Sequence, residues 1–228
     1  MSKILITLLF AGLAGPAFAQ ESEVREVGTF RGIGAAEGID VFLRHGDRES
    51  VRVEVSGNTE LHHVVTEVSG TYLKIHLREG RFRRNVNAKV FVTYRELDRI
   101  YASSAANVYS ENVIRARDLE IGCASAASVA LTIEVDEVEA EVSSAGDVEL
   151  KGKANRVEFS VSSAGEIDAY DLQAGIATVN CSSAGSAKVN VLRELYAEAT
   201  SGASIRFRGN PAKSRTDSRS GGSVRKSY

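Results

Sequence analysis

Ala140-Glu141-Val142-Ser143-Ser144-Ala145-Gly146-Asp147-Val148-Glu149-Leu150 is the stretch that decides the fold. On both sides of Ser144-Ala145-Gly146 apolar and polar residues alternate, the period of a half-buried β-strand, and the three tiny residues between them fit a tight corner. The phrase recurs, beginning at Ser104, Ser125, Ser144, Ser163, Ser183, Ser201 and Ser220, at separations of 21, 19, 19, 20, 18 and 19 residues. A period held this closely while the intervening sequence drifts marks a solenoid, whose coils bury their apolar sides only by stacking on one another.

Alignment on the serine brings out the inward columns. Two residues before it stand Ala102, Cys123, Val142, Val161, Cys181 and Ala199, and four before it Ile100, Ile121, Ala140, Phe159, Val179 and Ala197. Four after it come Val108, Val129, Val148, Ile167, Ala187 and Ile205, and six after it Leu131, Leu150, Ala169, Val189 and Phe207. Each coil is therefore read as strand, corner, strand and return. In the last copy the inward columns turn polar, at Thr216, Ser218 and Lys226, as a terminal coil requires to stop edge growth. The expected fold is an all-β, right-handed β-helix-like solenoid of about seven coils of ~19 residues over residues 98–228.

Residues 20–97 lack the serine phrase but are dense in β signals. Gly38 to Leu43, Val51 to Val55, Val64 to Val68, Tyr72 to Leu77 and Lys89 to Tyr94 alternate, and turn residues such as Ser56-Gly57-Asn58 and Ser69-Gly70 fall between them. This region is expected to be a β cap on the first coil, integral with the solenoid in a single domain of residues 20–228. Residues 1–19 read as a cleaved secretory signal peptide: Lys3, an apolar run from Ile4 to Leu13, and Ala17-Phe18-Ala19 before Gln20. The protein is expected in the periplasm or at the cell surface, with no transmembrane segment.

The chain carries a formal net charge of −2, which argues against nucleic acid as a partner. Residues 118–171 hold thirteen acids against three bases, whereas residues 206–228 hold seven bases against one acid, so the rod has an acidic middle and a basic end. Cys123 and Cys181 are the only cysteines. They share an inward column three coils apart, about 14 Å at roughly 4.8 Å per coil, beyond the ~7 Å reach of a disulfide. Two buried thiols are expected.

The repeated serines are read as turn residues rather than nucleophiles, because no histidine lies in the repeat region to activate them. A column of such serines is also expected to exchange hydroxyl hydrogen bonds from coil to coil. Glu120, Glu139 and Glu158 form an outward column of stacked carboxylates, a candidate calcium site. Glu149, Asp168, Lys188 and Arg206 form a second outward column, expected as a ladder of ion pairs. Arg81, Arg83 and Arg84 around Phe82, together with Arg206 and Arg208 at the basic end, are candidate contacts for an anionic polymer. His62-His63 is read as a poor zinc site, since neighbouring strand residues point to opposite faces. No cofactor is expected.

Phe30-Arg31-Gly32-Ile33, Gly38-Ile39-Asp40-Val41, Val51-Arg52-Val53, Tyr72-Leu73-Lys74-Ile75, Val90-Phe91-Val92-Thr93-Tyr94 and the serial Ser-[Ala/Gly]-[Ala/Gly] copies together resemble the bacterial family described as "putative auto-transporter adhesin, head GIN domain". The resemblance implies a β-helix-like fold and an exported, envelope-associated, adhesive role; it carries over no catalytic residues. Three functions follow as expectations. The first is a non-enzymatic binding or adhesion module presenting a repetitive surface to an envelope glycan or surface protein. The second is a structural envelope component that self-associates, and the third a polysaccharide-acting enzyme.

Overall fold

The structure, a computed structural model, describes residues 21–78 and 87–227. The segment expected to be a signal peptide, Gln20, and the arginines Arg81, Arg83 and Arg84 lie outside the described residues. Seventeen strands among the described residues form one continuous sheet wound into a solenoid. They are β1 (Glu21–Arg25), β2 (Gly32–Ala35), β3 (Asp40–His45), β4 (Ser50–Val55), β5 (Val64–Ser69), β6 (Tyr72–Leu77), β7 (Ala88–Tyr94), β8 (Arg99–Ala102), β9 (Asn107–Ser110), β10 (Ile114–Cys123), β11 (Ser128–Val142), β12 (Asp147–Val161), β13 (Glu166–Cys181), β14 (Ser186–Ala199), β15 (Ser204–Arg208), β16 (Lys213–Ser218) and β17 (Ser223–Lys226).

The expected columns are the observed registers. Cys123 faces Ala102 and Val142, Val161 faces Val142 and Cys181, and Cys181 faces Ala199, all in parallel ladders. These side chains fill one core, with Phe159, Val148, Ile167 and Ile205 fully buried. The return is not a separate element: β11 to β14 each run 14 to 16 residues from one corner to the next. Coils of unequal length absorb the difference in the return. The first, longest coil loops out at 111–113 between β9 and β10, and the registers of β12 on β13 and β13 on β14 slip after Glu149 and Ala169. The corners themselves stay aligned.

At each corner the serine and the residue after it take left-handed backbone angles. Ser144 has φ 52° and Ala145 φ 58°, and closely similar pairs recur from Ser104 to Ala184, with Gly202 at 77° and Gly221 at 80° in the last two corners. Gly146 N–H then donates to Ser143 O at 2.9 Å, which closes a type I′ turn. The positive φ expected of glycine thus falls on serine and alanine, where each costs about 1 kcal/mol or more. Glycine stands third for a different reason. A Cβ on Gly165 would lie 2.9 Å from Val142 Cγ1 and 3.0 Å from Val142 O, so the preceding coil leaves no room beyond the alanine found at this place in Ala106, Ala127 and Ala203. Stacking is carried by the backbone rather than by serine hydroxyls: Ala145 N–H donates to Ser163 O and Ala164 N–H to Ser183 O, both at 3.1 Å. No hydrogen bond among the described residues joins two of the motif hydroxyls.

The amino-terminal region continues this architecture instead of only covering it. Ala36-Glu37-Gly38 is an eighth corner, with Glu37 at φ 64° and Gly38 at φ 71°, and Gly38 N–H donates to Ser104 O at 3.0 Å. Strands β2 and β3 lie parallel on β8 and β9, and β6 and β7 lie parallel on β2 and β3. Antiparallel pairing appears only beyond that, where β5 joins β6, and β4 and β1 join β7 in turn. At the other end β16 and β17 are polar and mostly exposed, as the terminal coil was expected to be. Cys123 and Cys181 are free and buried, and desolvation pushes their thiols up to about 11 and about 12.

The corner geometry gives a paired outcome for thermal unfolding. Gly165→Val overpacks the corner and should lower stability by about 1–3 kcal/mol. Ala164→Gly relieves a left-handed alanine at the position where coils six and seven already carry Gly202 and Gly221, and should leave stability unchanged or raise it. Equal losses in both variants would refute this account of the corner.

Candidate functional site

Alternation places every second residue before the corner outward, and two such rows flank the buried column of Val142, Val161 and Cys181. One row is Glu141, Ser160, Asn180 and Glu198, which are consecutive register partners. The other is Ser143, Ser162, Ser182 and Thr200, the residues immediately before the motif serines. Together they line a groove of about 540 Å³ that runs along the solenoid axis over four coils. At roughly 4.8 Å per coil the groove repeats its hydroxyl, amide and carboxylate groups over about 14 Å. Its walls offer donors and acceptors at a fixed interval, and its floor is the edge of the packed core.

Both ends of the groove are bounded. Toward the amino terminus the outer row continues through Gly122 to Tyr101, and a Cβ on Gly122 would run into the Tyr101 ring. The ring therefore leans over the next coil, 37 % exposed, with its hydroxyl bonded to Glu120. Desolvation and that carboxylate raise the phenol above its ordinary range. Tyr72 lies behind it, ring centroids 6.1 Å apart, with Arg99 over its face. Toward the carboxyl terminus the rows end at Asp217 and Arg219, which pair at 2.5 Å, and Arg219 also approaches Glu198 at 3.9 Å.

The residues singled out in the sequence fall elsewhere. Glu120, Glu139 and Glu158 are register partners, as expected. Glu120 is engaged by Tyr101 and by Arg99 at 3.3 Å, while burial and then the neighbouring Glu158 and Glu120 raise the Glu139 carboxyl. The expected ion-pair ladder is broken. Lys188 bridges Asp168 at 2.9 Å and Glu166 at 3.0 Å, but Glu149 turns to Lys151 within its own strand at 2.7 Å. Arg206 sits exposed in register with Lys188 and Arg225, and Arg208 stacks over the Tyr170 ring at 4.0 Å. His62 and His63 are not on a strand: Leu61–His63 is a 3-10 turn, and the two rings come side by side. The groove itself was not read from the sequence. Its signal was available in the outward residues one and three before each serine, which in the third to sixth coils are all polar and, apart from Glu141 and Glu198, short.

A family model described as "Putative auto-transporter adhesin, head GIN domain" matches residues 29–211, and the chain belongs to that family. No curated protein matches it. Among solved structures it resembles a protein described as a putative adhesin from Bacteroides fragilis, with a TM-score of 0.77 at 16% identity over 93% of this chain and 99% of that one. A protein described as a putative adhesin from Parabacteroides merdae gives 0.76 at 19% over 94% and 98%. A protein described as a putative lipid binding protein from Parabacteroides distasonis gives 0.71 at 21% over 92% and 97%. These likenesses establish the shared β-solenoid. Among the described residues no helix is long and apolar enough to cross a membrane.

The raised Glu139 carboxyl carries a sign. A carboxyl whose folded value lies above its unfolded value makes the fold lose stability as pH rises through the unfolded value toward the folded one. In calcium-free buffer at neutral pH, Glu139→Gln should therefore melt higher, by the ~0.2–1 kcal/mol typical of a like-charge cross-strand pair. A lower melting temperature would show that the column is held together rather than strained.

Proposed function

We propose that this member of the head GIN domain family is an exported, non-enzymatic binding module that holds a linear, hydroxyl-rich glycan along the groove between Glu141 and Thr200. The observation that carries the reading is the two parallel polar rows at coil spacing. A polymer of repeating units can meet such rows with many weak, identical contacts, whose sum is strong and whose register is fixed by the solenoid. Hydroxyl and amide side chains on a rigid sheet match sugar hydroxyls directly or through ordered water. Tyr101, at the end of the row, offers an aromatic face on which a sugar ring can stack. Glu141 and Glu198 favour a neutral or amine-bearing chain over an acidic one. Binding here needs no cofactor, and retention without cleavage is what separates this reading from a polysaccharide-acting enzyme.

A second reading, head-to-tail self-association, draws on the charge at the two ends: Glu21 and Glu23 on β1 against Lys213, Arg215, Arg225 and Lys226 on β16 and β17. Its mark is oligomers that dissolve as salt screens these charges.

Titration calorimetry with neutral linear oligosaccharides of increasing length should give affinity that rises with length until the four coils are filled. Ser162→Arg, which plugs the middle of the groove, should weaken binding at least tenfold, and Arg206→Ala should leave it unchanged. The recovered oligosaccharide should be intact by mass spectrometry. Shortened products would overturn the non-enzymatic reading, and undiminished binding by Ser162→Arg would overturn the groove. Protein recovered from the envelope should begin at Gln20 and be accessible to protease on intact cells.

A further inference from the structure

The turn between β4 and β5 carries Glu60-Leu61-His62-His63, and its winding as a single 3-10 turn puts side chains together that a strand would separate. The His62 and His63 ring centroids are 4.3 Å apart with planes at 57°, and Glu60 Oε2 lies 3.2 Å from His62 Nδ1. One ligand-capable atom from each of Glu60, His62 and His63 lies within 4.8 Å of the other two, and this is the one group of three such side chains among the described residues.

We propose that Glu60, His62 and His63 form a site for one zinc-class divalent cation at the amino-terminal end of the solenoid, independent of the groove. Two imidazoles and a carboxylate suit a borderline first-row ion and are poorly matched to calcium or magnesium, which take oxygen donors. Tetrahedral zinc with bonds of about 2.0–2.1 Å sets its donors roughly 3.3 Å apart. Closing to that spacing rotates the exposed Glu60 and His62 side chains, 65% and 63% exposed, onto the half-buried His63 ring, whose bond to the Glu60 N–H is exchanged for the ion.

The backbone beneath is held in place. Arg25 donates to Leu61 O at 2.8 Å and to Val64 O at 2.7 Å, and its charge is offset by Glu23 at 2.7 Å. Val64 is buried, Leu61 packs against the core, and Thr59 Oγ1 accepts the Asn87 N–H at 3.1 Å. Donors mounted on so fixed a turn lose little freedom on closing around an ion. His63 Nδ1 accepts the Glu60 N–H at 3.1 Å, and ligation gives up that bond on either route, directly through Nδ1 or through Nε2 with the proton moved to Nδ1, so the Glu60 amide reports the event. Three protein donors leave a fourth position open, the arrangement in which zinc keeps a water or takes a ligand from another molecule.

The test is calorimetric titration of the untagged protein with ZnCl2, followed by amide chemical shifts. Binding should be 1:1, with shifts confined to residues 59–64, and CaCl2 and MgCl2 should give none. His62→Ala removes an exposed ring that no backbone group uses, so the melting temperature should hold while zinc affinity falls. The fall should be at least the roughly 10–100-fold that loss of even an outer-shell partner costs. Glu60→Gln should weaken binding less. Absence of saturable zinc binding, shifts elsewhere, equal affinity in His62→Ala, or calcium binding as tight as zinc would each overturn the site.

Discussion

The structure depends on one backbone contact: the N–H of the second corner residue donating to the carbonyl of the serine one coil on. It runs unbroken from Gly38 through Ala105, Ala126, Ala145, Ala164 and Ala184 to Gly202, at 3.0 to 3.1 Å throughout. Each link pairs a donor and an acceptor on largely exposed corner residues and fixes the height of one corner against the next. The left-handed angles at serine and alanine are the strain that this arrangement tolerates, because they close the tight corner while the N–H of its second residue reaches the next coil. Once the corners are locked, the residues on either side have no freedom of register. The apolar columns inside and the polar rows outside are two results of the same constraint.

This explains why irregularity is confined to the returns. An extra residue at a corner would break the carbonyl ladder and slip every column beyond it to the wrong face, exposing apolar side chains and burying polar ones. The same residue placed opposite the corner costs a local bulge. The loop at 111–113, the slips beside Glu149 and Ala169, and the left-handed Gly152 all lie away from the corners. Gly152 sits where a Cβ would collide with Ile133 O, so the return approaches its neighbour as closely as the corner does.

What could be read in the sequence is what packing dictates. Ile100 to Ala197 and Ala102 to Ala199 stand out because burial removes polar residues from alternate positions, and the thiols of Cys123 and Cys181 follow from the register alone. The Glu37-Gly38 corner escaped because a glutamate stands where the other corners have serine, although the backbone there is the same. The ion-pair ladder failed at Glu149 because a lysine two residues along its own strand competes with a partner on the next coil. His62 and His63 were misplaced on a strand, since two adjacent polar residues carry no periodicity that separates strand from turn. The groove was hidden for a related reason: outward positions are under no packing constraint, and only knowledge of their common face turns Glu141, Ser160, Asn180 and Glu198 into a row.

Function in such a molecule is written where the repeat stops being a repeat. A perfect solenoid offers an endless track on which a bound chain has no preferred position. Here the track has ends, because Tyr101 leans across Gly122 on one side and Arg219 closes onto Asp217 and Glu198 on the other. An aromatic face and an ion pair are chemically different stops, so the groove has a direction as well as a length. If the groove holds a polymer as proposed, one seated between these stops is read for both its repeat and its terminus, which is a stronger basis for discrimination than the polar rows alone.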